Sequence, residues 1–283
     1  ALEAELRHRD VAAYLVEPIQ GKGVHLATPE YWQAVEALCR SYGTLLICDE
    51  VQTGLGRTGK LWAHEHYGIA PDIITVSKAL SGGYIPVGAM LTSDKILRGT
   101  YSSMERAMVH STTFKNNPMA MVAGLATLSV FDDEHIVEHA AAMGDVWRTR
   151  LEELASHHEF LHVIRGRGQM IGIEFGRPTS RGARLRWRLI ETTRTAMFTQ
   201  TLVVPLFHRY RILTQVAADN INVIKLLPPL IAGKKEIDLF VNALDELLTE
   251  AERSSASLVE FGVTMTKSML KRNPTSKHVT AKS

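Results

Sequence analysis

Short apolar runs that end abruptly on a charged residue, separated by stretches of helical period, restrict this chain to a layered α/β fold. Residues 11–17, 44–49, 72–77 and 87–92 read as strands, and residues 29–42 and 119–131 read as helices. Strands alternating with helices imply a mainly parallel sheet, whose reactive side chains lie at the strands' carboxyl ends. After a long amphipathic stretch at 132–155 the register changes. Residues 163–175 alternate like one half-buried strand, residues 212–216 and 222–226 look like further strands, and helices are expected over 183–198 and 234–249. The expected organisation is a large domain over 1–155, a smaller α+β domain over 156–260, and a basic, disordered tail over 261–283.

Two of the run ends carry chemistry. Asp49 closes the run Thr44-Leu-Leu-Ile-Cys-Asp49, and Lys78 ends Asp72-Ile-Ile-Thr-Val-Ser-Lys78 just before Ala79-Leu80-Ser81-Gly82-Gly83. A lysine held where a strand gives way to a glycine-bearing turn can form a Schiff base with an aldehyde, and partial burial is expected to favour its neutral amine. A carboxylate on a neighbouring strand can keep a pyridine nitrogen protonated, so that the ring accepts electrons from a carbanion. The pair therefore suggests pyridoxal phosphate chemistry, although either residue alone is more often a surface or cap residue.

The neighbours of this pair extend the pattern. The segments Asp49-Glu-Val-Gln-Thr-Gly-Leu-Gly-Arg-Thr-Gly59, Pro71-Asp72-Ile73 and Ser77-Lys78-Ala-Leu-Ser-Gly-Gly83 closely resemble the class III, or ornithine-type, pyridoxal-phosphate aminotransferases. The resemblance runs from about Val11 to Leu248 and takes in Glu17-Pro-Ile-Gln-Gly21 and His110-Ser-Thr-Thr113-Phe-Lys-Asn-Asn117-Pro118. It implies fold type I, a homodimer with shared active sites, and pyridoxal 5'-phosphate as cofactor. It also implies Lys78 as Schiff-base lysine and proton shuttle, Asp49 as pyridinium partner, Val51 as the apolar platform under the ring, and Gln52 beside the ring hydroxyl. Thr113 would reach the phosphate from the neighbouring subunit. A hydroxyl and backbone N–H donors ahead of a helix suit a phosphate dianion independently of the family. The implied reaction is amino transfer from an amine or amino-acid donor to a carbonyl acceptor. A mutase, decarboxylase or epimerase of the same fold, or a truncated non-catalytic chain, is the alternative. Upstream phosphate-holding and ring-stacking residues are expected in a first part of the protein, because Ala1–Asp10 reads as the end of a helix already under way.

In amino-acid-using members the segment matching Ile224-Lys225-Leu-Leu-Pro-Pro-Leu230 carries an arginine that grips the substrate carboxylate, gated by a glutamate after the Glu-Pro-Ile-Gln-Gly turn. This chain has Lys225 and Lys22 at those places. Glu17, Lys22 and Lys225 are therefore the candidate substrate-side residues, with no anion expected to pair Lys225. Arg209 and Arg211 lie in an inserted-looking stretch, 206–212.

Other readings fall away. Gly54-Leu-Gly56-Arg-Thr-Gly59 has the dinucleotide G-x-G-x-x-G spacing but lacks both a helix opening at the glycines and an acid ending a second strand about 20 residues on. His64 and His66 would point to different faces of a helix, so two solvated histidines and no metal site are expected. A formal net charge of +2, to which Lys267, Lys271, Arg272, Lys277 and Lys282 contribute five positive charges against a net negative remainder, gives no general drive toward nucleic acid. Cys39 and Cys48 read as core thiols of a reducing, cytoplasmic compartment. No run is long enough to span a bilayer.

Overall fold

The computed structural model describes residues 1–191 and 196–253. The tail assigned to 261–283 lies outside them. In chain order the elements are α1 (Leu2–Leu6), β1 (Ala13–Val16), β2 (Ile19–Gln20), β3 (His25–Leu26), α2 (Pro29–Tyr42), β4 (Leu45–Asp49), β5 (Ile73–Val76), β6 (Ala89–Thr92), α3 (Asp94–Thr100), α4 (Pro118–Asp133), α5 (Ile136–His157), β7 (Leu161–Arg167), β8 (Met170–Phe175), α6 (Arg181–Glu191), α7 (Met197–Tyr210), β9 (Gln215–Val216), β10 (Val223–Leu226) and α8 (Lys234–Arg253).

The chain divides into two compact units, each assembled from three stretches. The first takes Ala1–Thr149, Ile164–Gly172 and Lys225–Ile237. Its sheet runs β1-β4-β5-β6, parallel across β1, β4 and β5, with β6 antiparallel at the edge. The register sets Asp49 opposite Thr75 at the carboxyl ends of β4 and β5.

Helix α2 shows why the sequence folds this way. The Thr28 hydroxyl caps Tyr31 N–H and Pro29 occupies the first turn, where its missing donor costs nothing. Trp32, Val35 and Cys39, spaced for one face, pack on Leu46 and Cys48 of β4 and on Tyr67 and Ile69. Each large apolar side chain buried there contributes about 1.5–3 kcal/mol.

The second unit takes Arg150–Val163, Ile173–Ile224 and the described residues from 238 onward. Phe198 is fully buried between Phe160, with ring centroids 4.6 Å apart, and Trp187 at 4.9 Å. The four-stranded sheet over the later chain runs β7-β8-β10-β9.

Residues 163–175 are not the single strand expected. Gly168, with φ +52°, breaks the alternation into β7 and β8; its Cα hydrogens face the chain at Thr58 and Gly59 so closely that a β-carbon would lie 2.4 Å from Thr58 C. Within the stretch 206–212, Leu206–Tyr210 is the end of α7, and Arg209 Nη1 holds Glu250 Oε1 at 2.7 Å.

Candidate active site

Lys78 lies two residues past the end of β5 and opens a 3-10 turn, Lys78–Ser81, with φ +46°. A left-handed backbone at a lysine is uncommon and persists only where its surroundings impose it. Here the surroundings are specific. The Ser77 hydroxyl donates to the Val87 carbonyl at 2.6 Å, and Ser81 binds both the carbonyl and the N–H of Ile85. Helix α4 packs on the turn, its small Gly124 facing the Leu80 carbonyl. The expected partial burial of Lys78 is not found. The residue is exposed.

Asp49 is half-buried at the end of β4. Its Oδ1 accepts from Val51 N–H at 3.0 Å and from the Thr75 hydroxyl at 3.0 Å. Both bonds use the same oxygen, which leaves Oδ2 for another donor. Thr75 was not among the residues expected at the site; the alternation of β5 shows which face it occupies, but only the register shows that it meets Asp49.

After Asp49 the chain is pinned from below. Glu50 is buried, its Oε1 accepting from His64 N–H at 2.9 Å and lying 3.0 Å from His64 Nδ1, while Oε2 accepts from the Thr53 hydroxyl. The two histidines are therefore not solvated. They fall on a 3-10 turn, Ala63–Tyr67, whose tighter winding turns His64 inward to Glu50. His66 Nε2 lies 3.0 Å from the Thr58 carbonyl. Burial, and secondarily the charge of Arg167, push the His66 pKa down to about 4. Among the described residues no cluster of three or more His, Cys, Asp or Glu could hold a metal ion.

Gln52 meets the later chain. Lys225 Nζ donates to Gln52 Oε1 at 3.2 Å and to the Gly21 carbonyl at 3.0 Å, and Gly21 N–H donates to Glu17 Oε2 at 2.9 Å. Burial lowers the Lys225 pKa, the charge of Glu17 opposes this, and the charge of Lys78 adds to it. Glu17 is thus the anion near Lys225 that the sequence reading did not provide, and Lys22 is exposed. Lys78, Lys225, Gln52 and Glu17 form one electrostatic neighbourhood, although Gln52 and Lys225 are 173 residues apart and Glu17 is further still.

Thr113 stands apart from them. It is exposed in the turn 113–116, and the following Asn117 caps α4 by accepting from Met119 and Ala120 N–H, so those two donors are already engaged. Helix α4 exposes Met119, Val122, Leu125 and Leu128.

This arrangement has a known setting. The family model for class-III aminotransferases matches residues 1–248. The chain belongs to that family. Relatives include the aminotransferase PigE of a Serratia strain, 37% identical over 89% of this chain and 34% of PigE. The acetylornithine aminotransferase of Methanocaldococcus jannaschii is 36% identical over 86% of this chain and 54% of its own length. Among solved structures, the ornithine aminotransferase of Toxoplasma gondii, with partial occupancy of PLP at its active site, superposes with a TM-score of 0.75 at 30% identity, covering 89% of this chain and 54% of that one. The chain thus spans about a third to a half of the relatives it matches, and within that span it has the transaminase fold. Among the described residues no helix is long and apolar enough to cross a membrane.

Proposed function

We propose that this class-III chain serves a pyridoxal-phosphate-dependent aminotransferase that moves an amino group from an amine or amino-acid donor to a carbonyl acceptor. The observation that carries this reading is the Asp49–Thr75 pair at the carboxyl ends of β4 and β5, with Lys78 just past the end of β5: a carboxylate anchored through one oxygen, its other oxygen open, and an exposed lysine held in a left-handed turn. The donor set fits the cofactor. When bound, pyridoxal phosphate supplies an aldehyde for the Lys78 amine and an electron-accepting pyridinium ring.

Each residue then has a task. Asp49 Oδ2 would keep the ring nitrogen protonated, Val51 would supply an apolar contact to the ring, and Gln52 would donate to the ring hydroxyl. Lys78 Nζ would bind the cofactor's aldehyde and would serve as the base that moves a proton from the donor carbon. Glu17 and Lys225 set the charge on the substrate side, with Lys22 facing solvent. Thr113 donates its hydroxyl to the phosphate held by a second copy, and the apolar face of α4 supports a homodimer with shared sites. The two free, buried thiols of Cys39 and Cys48 suit a reducing, cytoplasmic compartment.

The test is spectroscopic. The full-length protein incubated with pyridoxal phosphate should show a pH-dependent visible absorbance that is lost in Lys78→Ala, and borohydride reduction with peptide mapping should put the label on Lys78. No chromophore in wild type, or a label on another lysine, overturns the reading.

A further inference from the structure

An ammonium has three donor hydrogens and no acceptor. The Gln52 atom facing Lys225 at 3.2 Å must therefore be the carbonyl oxygen, and the amide's two hydrogens on Nε2 are turned to its other side. Gly21 completes the clamp. Its carbonyl takes a second Lys225 hydrogen at 3.0 Å, its N–H is held by Glu17 at 2.9 Å, and a β-carbon there would lie 2.8 Å from Gln52 Nε2 and 2.9 Å from Glu17 Oε1. The peptide of Gly21 is thus fixed between a cation and an anion, with the Gln52 amide packed against its Cα.

We infer that Lys225 is a positioning residue for Gln52: it fixes which end of the amide donates, and thereby presents Nε2 to an anionic oxygen bound in the site. The inference deepens the cofactor reading above and rests on it for the identity of that oxygen, the ring hydroxyl of pyridoxal phosphate. Without Lys225 the amide can rotate by half a turn and offer a carbonyl to a phenolate, turning an attraction into a repulsion. The same contacts bear on specificity. With two of its three hydrogens engaged, Lys225 has one left over and cannot supply the planar, two-point grip that a guanidinium gives a carboxylate. The site accordingly suits donors whose recognition does not depend on a carboxylate gripped at this position, such as diamines or ω-amino compounds.

The experiment is a double-mutant cycle over Lys225→Met and Gln52→Ala, read in two ways. In the cofactor-free full-length protein, the losses of Tm from the single substitutions should be non-additive, the double variant melting no lower than the worse single one. In protein loaded with pyridoxal phosphate, the pKa of the visible absorbance should shift by about one unit in Lys225→Met, the scale of one charge-assisted hydrogen bond. The shift should be upward, because the Nε2 donor favours the deprotonated form, and Lys225→Met should add nothing in the Gln52→Ala background. Lys225→Arg, which keeps the charge and the donors, should stay near wild type. A full additional shift from Lys225→Met in the Gln52→Ala protein would mean that Lys225 acts through its bare charge, and overturns the inference. So does a Lys225→Met protein in which only the KM for carboxylate-bearing donors changes. If wild type forms no chromophore, the cofactor reading fails, and the unfolding cycle still supports or overturns the link between Lys225 and Gln52.

Discussion

Asp49 and Thr75 are register partners on adjacent parallel strands, and the Thr75 hydroxyl donates to Asp49 Oδ1 at 3.0 Å. Together with Val51 N–H this bond fixes the carboxylate's rotation, so that Oδ2 keeps one direction. Thr75→Val preserves the β-branched shape that the strand favours and deletes only the donor. Losing one hydrogen bond to a charged group should weaken pyridoxal phosphate binding by roughly tenfold. Equilibrium dialysis measures this, and an unchanged affinity would remove Thr75 from the site.

The buried Glu50 holds the segment that carries Val51 and Gln52, through His64 and Thr53. Replacing it with alanine leaves the His64 N–H and ring nitrogen without their acceptor in a buried setting. The expected cost is about 3 kcal/mol of unfolding free energy, seen as a lower urea midpoint at constant m-value. Glu50→Gln keeps one acceptor oxygen and should cost less. Equal stability of Glu50→Ala and wild type would contradict the assigned role.

Which parts of this were legible in the sequence follows from the physics of each residue. Asp49 and Lys78 announced themselves because a short apolar run ends at each of them. Helix α2 was bounded correctly, Pro29 to Tyr42, by its hydrophobic period. Thr75 was hidden because a strand's pattern gives its face but not its partner across the ladder. The Lys225–Gln52 contact was hidden more deeply, since nothing local links residues 173 positions apart. The histidines were misread for a different reason: their rings do point to different partners, Glu50 and Thr58, but both sides of the turn are covered by chain that local pattern does not reveal. The exposure of Lys78 is likewise a tertiary fact, set by what stands over the turn rather than by the turn's own residues.

His66 makes stability depend on pH in a defined window. Its imidazole stays neutral in the folded protein down to about pH 4, because burial and Arg167 oppose a second positive charge. The unfolded chain takes up that proton near pH 6.5. Between those values the unfolded state binds more protons, so this contribution is complete above about pH 6.5 and is lost as the pH falls toward 4. With allowance for the ring's partial exposure, the loss is roughly 1–2 kcal/mol. Unfolding at a series of pH values should show a shallower slope in His66→Gln than in wild type across this window, and an identical slope would count against it.

The exposed Thr113, adjoining the apolar face of α4, bears on the shared site. If its hydroxyl serves the phosphate bound by Lys78 of a second copy, the substitutions Thr113→Ala and Lys78→Ala damage the same site only when both lie on its two contributing chains. In a mixed dimer of the two variants, one site then receives an intact Lys78 from one subunit and an intact Thr113 from the other, while the second site receives neither. Random association at equal concentrations should restore roughly a quarter of the wild-type sites. Cofactor binding and dimerisation would also be linked equilibria, so added pyridoxal phosphate should shift the protein toward dimer. The measurement is amino-transfer activity after dissociation and mixing, at a cofactor concentration where neither parent is active, with native mass spectrometry confirming the mixed species. Recovery near a quarter fits a site built across two chains; none, with mixed dimers present, means that Thr113 acts within its own subunit.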